Sequence, residues 1–582
     1  MRLNLKVAAA VAVAGVSTLL LSACGVGGGG GGSATASGNY ADCPENINTC
    51  NAVPADQVQQ GGTITFAIEK NIPNWNVNSS EGNVFETGMA TKAFLPYAFT
   101  STPELKTELN TELMVSADQV DPTTLVYKIK PEATWSDGTP ISAADFAYNW
   151  KTQDVRQCPD CATAGNGGFD QIENVVGSDN GKTVTVTLSK PFTDWRSYFN
   201  SAAPLYPAHI AAQHGDINTP EGLASSFDWF GKNVPTYSGG PFVIDNWQDN
   251  QALTLKPNPR WYGETKPKLD TLIMRVITDA TQEPIALQND EVQVLYPQPQ
   301  VDIVQQIQQI PNVSQAQQLG LTWEHVDFNL QTPALKDKAL RRALFTATNR
   351  QDIIDKTVGQ FNPEVAPLNS LMFLPQRPEY TDNLAGTALG SGDIEAAKKI
   401  LTDAGYTGVG TDLVAPDGQA VPDLRVRYTV GNAIRQNTSE LLAQYAQQLG
   451  VNVAVEPTDD LGTTLDSGDY DLMVFAWVQS PFPFGGAQQL WLSSSGSNFG
   501  GYTNPKSDQL INAAASSTDE AAAAQQLNQA DKIILGDAYV LPLYQKPTLV
   551  ATQNTVANVR GNATLDGPMY NVAEWGLRSE GS

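Results

Sequence analysis

Three histidines, His209, His214 and His325, and five cysteines are all the imidazole and thiol in the chain, so catalysis by either has few places to sit. No HExxH pair, GxSxG elbow or Walker A loop occurs, which removes the motifs for zinc, serine and nucleotide chemistry. The 61 acidic residues could conceal a carboxylate pair, and an exported hydrolase is kept as an alternative on that ground. A bare metal ion has too few imidazoles to hold it, so no metal and no cofactor is expected, although a chelated metal stays open. Binding chemistry is concentrated in Tyr470–Phe484, YDLMVFAWVQSPFPF. Its apolar run Leu472 to Val478, bounded by Asp471, Pro481 and Pro483, reads as a strand buried on both faces. Proline has no amide donor, so the strand must end before Pro481 in a loop holding Gln479, Ser480, Phe482, Phe484, Gly485 and Gly486. In open α/β sheets ligands lie outside the carboxyl ends of strands, which makes Trp477, Val478, Gln479, Ser480 and Phe482 candidate ligand residues.

The rest of the chain must position that loop outside the cell membrane. Arg2 and Lys6 precede an uncharged stretch from Val7 to Leu21, a secretory signal spanning residues 1–23. Leu21-Ser22-Ala23-Cys24 closes it and resembles the bacterial lipobox, which implies that Cys24 is lipidated. Gly27 to Gly32 and the small polar residues behind them read as a flexible tether over 24–60, anchored to the membrane's outer face. The formal charge of −26 becomes −28 when the two leader cations are subtracted, a balance that repels nucleic acid and anionic lipid. Export also permits disulfides, and the mature cysteines form an even set. Short loops favour Cys43 with Cys50 and Cys158 with Cys161, over a redox or zinc reading of the second pair.

The chain is too long for one core. Strands are expected at Gly61 to Ile68, Leu125 to Lys130, Thr183 to Leu188 and Leu272 to Ile277, with a Ser142-capped helix between the second and third. Residues 200–235 carry no assignable pattern. A helical stripe follows at Val301 to Ile310, and a strand at His325 to Leu330. Helices at Lys336 to Thr348, Asp393 to Ala404 and Asn437 to Leu449 then alternate with a strand at Val451 to Val455, before strand character returns at Val540. The fold class is therefore α/β, with mixed sheets and flanking helices.

Several ordered blocks resemble the family 5 extracellular solute-binding proteins, the oligopeptide, dipeptide and nickel receptors of ABC importers, in their lipid-anchored actinobacterial form. They are Tyr127–Lys130 with Trp135–Pro140 and Ala144–Phe146, Gly240–Phe242 with Asn258–Tyr262, Asp327–Asn329 with Arg342–Leu344 and Asn349-Arg350, and Ala396–Leu401 with Ala404–Tyr406. The resemblance implies a large two-lobed periplasmic-binding-protein fold with a hinged cleft. Lobe I would be 61–320, with an extra subdomain at about 86–225, lobe II 321–540, and 541–582 a return to lobe I. It implies a monomeric receptor, not an enzyme, that delivers a peptide or peptide-like solute to membrane permease subunits. It adds Trp75 and Asn76, in the loop after the first strand, to the ligand-binding set. Relatives that bind peptides often carry an aspartate where Ser480 stands, pairing with the ligand's amine, so a different carboxylate (Asp459, Asp460 or Asp471) or a ligand without a free amine is implied. A receptor-like lipoprotein regulating envelope assembly without transport would share every motif.

Cys24→Ala is expected to abolish fatty-acid labelling of the expressed protein. Labelling that persists in the variant would remove the lipobox reading.

Overall fold

The computed structural model describes residues 35–164 and 167–579; the signal and lipobox positions, Cys24 included, lie outside them. The helices obey local chemistry. Ser142 and Asp145 close a capping box on Ala143–Gln153. Asp393 caps Ile394–Asp403, and Gly405 follows with a φ of +88°, the left-handed conformation that ends a helix. Residues 200–235, unassigned from sequence, hold two helices, Ala208–His214 and Pro220–Lys232, the second with Thr219 as its cap and proline in its first turn.

An eleven-stranded sheet runs through the molecule. On one side lie the parallel strands Val453–Thr458, Leu424–Thr429 and Leu472–Val478. On the other lie Val294–Leu295, Thr63–Ile68 and Thr271–Val276, also parallel, then Ala252–Pro257 and Phe242–Gln248, antiparallel. Two long antiparallel strands join the halves, Val313–Phe328 of 16 residues and Val540–Gln553 of 14. Of His325 to Leu330, expected as a strand, His325 to Phe328 are the end of the first of these, and Asn329 and Leu330 lie beyond it.

The pairing of the two long strands breaks twice. Leu319 pairs with Pro547, but the next pair is Trp323 with Gln545, and a second shift falls between Glu324 and His325, opposite Pro542. Both breaks have a proline in the partner strand, which supplies no donor to the ladder. The freed groups are satisfied elsewhere. Gln545 Nε2 donates to Gly320 O at 2.7 Å, and the Leu321 amide donates to Ala563 O at 3.1 Å. A second sheet, Met114–Asp121, Thr124–Ile129, Thr183–Leu188 and Ile172–Ser178, forms a separate antiparallel layer covered by the Ala143–Gln153 helix.

Two large cores result. One holds Phe66, Trp135, Phe146, Phe192, Trp195 and Trp575. The other holds Trp323, Phe345, Phe373, Val474, Phe484 and Tyr544, and also Leu287 and Ile303. The helices Glu283–Gln288 and Val301–Gln308, which precede residue 320, thus share the core of the later half. Cys43 is bonded to Cys50 and Cys158 to Cys161, the local pairing expected. Among the described residues no helix is long and apolar enough to cross a membrane.

The expected tether over 24–60 is corrected for its latter part. Ala36 pairs with Ala316 and Ser37 with Gln315, and Tyr40 is fully buried, its hydroxyl donating to Val559 O at 3.0 Å. Composition suggested a coil because two residues joining an existing sheet need no strand propensity of their own; the sheet edge supplies the order. Tyr40→Ala is expected to destabilise the protein by about 3 kcal/mol, the cost of emptying a buried aromatic site. Urea unfolding checks this, and a change below about 0.5 kcal/mol, typical of an exposed position, would restore the tether.

Candidate ligand cleft

Leu472 to Phe475 are buried, and exposure rises along the strand until Val478 is 45% exposed. The apolar run is therefore buried on both faces only over its first half, and its carboxyl end emerges. Opposite it in register stand Trp323 with Trp477 and His325 with Phe475. The Trp477 ring lies parallel to His325 at 6.0 Å and to Phe499 at 6.1 Å, and meets Phe475 edge-on at 5.1 Å. Alternation along paired strands puts these rings on one face and fixes the half-buried indole by its neighbours.

The following loop is held from below. The Gln479 amide donates to Leu321 O at 2.8 Å, in the stretch where the long strands lose their pairing. Its side-chain amide donates to Met372 O, and the residue is 7% exposed. Ser480 Oγ accepts from the Phe482 amide at 3.0 Å, and Arg377 donates to Pro481 O at 3.0 Å while pairing with Glu379 at 3.1 Å. Phe484, Gly485 and Gly486, expected in the loop, belong to the helix Pro483–Trp491. Pro483 ends strand propagation and equally suits a first helical turn, where no amide donor is needed.

The sequence-derived residues separate into three groups. Trp477, Val478 and Ser480 offer surface at the strand end. Gln479 and Phe482 are buried supports of the loop. Trp75 and Asn76 are not brought to it: they are 4% and 1% exposed inside the first core. Trp75 packs edge-on to Trp247 at 5.2 Å, and its amide donates to Gly231 O at 2.9 Å. The Asn76 side chain donates to Phe227 O at 3.1 Å and accepts from the Asn78 amide at 3.2 Å, bonds that hold it inside the core. The carboxylates suggested as replacements for the missing aspartate are placed elsewhere. Asp471 sits at the opposite end of the strand, about 23 Å away by its rise, holding Thr332 Oγ1 and the Arg425 amide. Asp460 caps the helix Leu461–Ser467, and Asp459 is exposed.

Three further charged groups support the strand end and its loop, Glu324, Arg377 and Asp194. Glu324 lies on the long strand, opposite Ala476 on one side and Tyr544 on the other. Its carboxylate takes Arg435 at 3.0 and 3.1 Å and Lys546 at 3.2 Å. Burial alone would raise that carboxyl, but Lys546 and Arg435 outweigh it and hold it down at about 2. Arg377 clamps the loop, and Asp194 reaches it from the other core, accepting from the Gly485 amide at 2.6 Å. Only Glu324 carried a sequence signal, as a charge inside the apolar alternation Leu321-Thr322-Trp323-Glu324-His325-Val326. Among the described residues no group of histidine, cysteine, aspartate and glutamate is arranged to hold a metal ion.

The family model described as "Bacterial extracellular solute-binding proteins, family 5 Middle" matches residues 108–499. The chain belongs to this family. The oligopeptide-binding protein OppA of Mycobacterium tuberculosis is 30% identical over 525 residues, 88% of this chain and 84% of the relative. Among solved structures, the periplasmic EDTA-binding protein EppA is 36% identical with a TM-score of 0.86, covering 92% of this chain and 99% of that one. The oligopeptide-binding protein AppA of Bacillus subtilis, solved with a nonapeptide, shares the fold at 20% identity and a TM-score of 0.71, covering 90% of this chain and all of that one. The fold is thus the two-lobed α/β architecture of the large periplasmic binding proteins, and the family's members are solute-binding receptors of ABC importers.

Glu324→Gln is expected to cost about 3 kcal/mol, since it leaves the largely buried Arg435 and the partly exposed Lys546 without their counter-charge. A carboxyl held near 2 in the folded state contributes stability above its unfolded value of 4.5, and that contribution disappears as pH falls from about 4.5 toward 2. Melting curves over that range should fall steeply for the natural protein and less steeply for the variant. Parallel curves would remove the assignment.

Proposed function

We propose that this protein is a monomeric, lipid-anchored receptor that captures a peptide or peptide-like solute in the cleft between its lobes and hands it to a membrane permease. The observation that carries the reading is the emergence of Trp477, Val478 and Ser480 from the sheet beside the long strands, in a chain 30% identical to an oligopeptide-binding protein. An extended peptide laid along such a strand end trades main-chain hydrogen bonds whatever its sequence, and the indole adds apolar contact. Relatives named for binding rather than catalysis agree with a receptor without a reaction of its own.

Specificity turns on Ser480. A carboxylate facing a ligand ammonium would contribute about 1.5–3 kcal/mol, whereas a neutral hydroxyl contributes about 1 kcal/mol. The solute recognised here does not depend on a free amine at this position. A second reading, a metal chelated by a polycarboxylate, is favoured by the 36% identity to an EDTA-binding protein, since such a ligand also presents no ammonium.

Native mass spectrometry of protein from its own host identifies the co-purified solute, and calorimetry then decides between the readings. One peptide in free and N-acetylated forms is expected to differ less than tenfold in affinity, because tenfold is about 1.4 kcal/mol. Trp477→Ala should weaken both forms by about 0.5–1.5 kcal/mol beyond the loss of buried area. A hundredfold loss on acetylation would sink the Ser480 argument. Binding of EDTA complexes with no heat from any peptide would install the second reading.

A further inference from the structure

Phe192, Thr193 and Asp194 form a short tongue between the strand Thr183–Leu188 and the turn at Trp195. Phe192 and Trp195 root it in the first core, with the Phe192 ring 5.3 Å from Tyr198. Its tip enters the second core's territory and meets two helix ends. At one, the N-terminus of Pro483–Trp491, Asp194 Oδ2 accepts from the Gly485 amide at 2.6 Å. At the other, the C-terminus of Pro505–Ala515, the Thr193 amide donates to Ala515 O at 3.1 Å and its hydroxyl lies 2.8 Å from both Ala514 O and Ser517 O. Helix ends leave these groups without intrahelical partners, amides at the start and carbonyls at the finish. The tongue offers an acceptor to the first and donors to the second, and its carboxylate also faces the positive end of a helix dipole. Two adjacent residues thus match two oppositely polarised helix ends of the other lobe.

We propose that Phe192–Asp194 is a strap by which lobe I fastens onto the helix ends of lobe II and holds the cleft shut over the Trp477–Ser480 loop. The strap closes next to the ligand loop, since Gly485 follows Ser480 by one loop turn and Arg377, which clamps Pro481, also acts on Asp194. It differs from the long strands that join the lobes: those keep the halves connected in any state, whereas the tongue's contacts exist only when the lobes meet.

A proton bears on its grip. Asp194 is 6% exposed; burial pushes its carboxyl up to about 7, against the opposite pull of the Gly485 amide, Arg377 and the Phe484 amide, with Glu520 adding to the rise. Arg377 is itself shared with Glu379. An open cleft would return Asp194 to water and to its ordinary value of 3.8. The closed form therefore binds the proton more tightly, so closure is most favoured on the acid side and is lost progressively as pH rises to about 7.

Double electron–electron resonance on the ligand-free protein tests the strap without reference to the solute. Spin labels go at Val176→Cys in the subdomain and Val430→Cys in lobe II, which are 51% and 55% exposed. The natural protein should show a short-distance, closed population at pH 5.5 whose ratio to the open one falls by about tenfold or more at pH 8.5. Asp194→Ala should lower the ratio at pH 5.5 by about tenfold, and Thr193→Val should lower it in the same direction if the first variant folds poorly. Asp194→Asn keeps an acceptor for Gly485 and should stay closed without responding to pH. The strap is overturned if the natural protein shows no closed population, or if Asp194→Ala and Thr193→Val leave the distribution unchanged. A pH response that persists in Asp194→Asn would overturn the part given to this carboxylate.

Discussion

The structure depends on one pairing, that of Val313–Phe328 with Val540–Gln553. Every parallel strand of either half is tied to these two directly or through one or two intervening strands. A ladder of this length would make a stiff beam, and the prolines at 542 and 547 interrupt it where the two halves meet. Side-chain and loop groups replace the missing ladder bonds, so the backbone stays satisfied while its geometry is released from strict pairing. Glu324 braces the same place. A buried carboxylate there would be costly alone, and it is tolerated because Arg435 comes from a helix of one half and Lys546 from the returning strand.

The candidate cleft follows from where that pairing runs. Because Leu472–Val478 lies against Val313–Phe328 in register, its carboxyl end comes out beside the interrupted stretch. Trp477 is held by rings on three sides and so presents one indole surface at little cost in side-chain freedom. The loop beyond it is clamped by Gln479 and Arg377, and within it Ser480 Oγ accepts from the Phe482 amide.

The secondary structure near the loop was legible because local rules suffice for it. An apolar run between proline and aspartate yields a strand, Ser142 and Asp145 yield a helix start, and four cysteines at short spacing yield two local disulfides. The family blocks were legible as well, since turns and caps such as Trp135–Pro140 are written in adjacent residues. Two placements have no signature in the segments themselves: residues 36 and 37 pair with the sheet and Trp75 lies buried in the first core, because burial is a property of what packs against a segment and not of the segment.

By itself, then, the sequence determined an α/β chain of the family 5 solute-binding proteins and the strand end that carries Trp477 and Ser480, because hydrophobic periodicity, capping and motif spacing act over a few residues. Tertiary structure decided which side chains meet. Glu324, Arg435 and Lys546 are brought together from three elements, and Asp194 reaches Gly485 across 291 residues of chain. Contacts of that kind depend on the crossing of the long strands and on the shape of two cores, and neither has a signature in neighbouring residues.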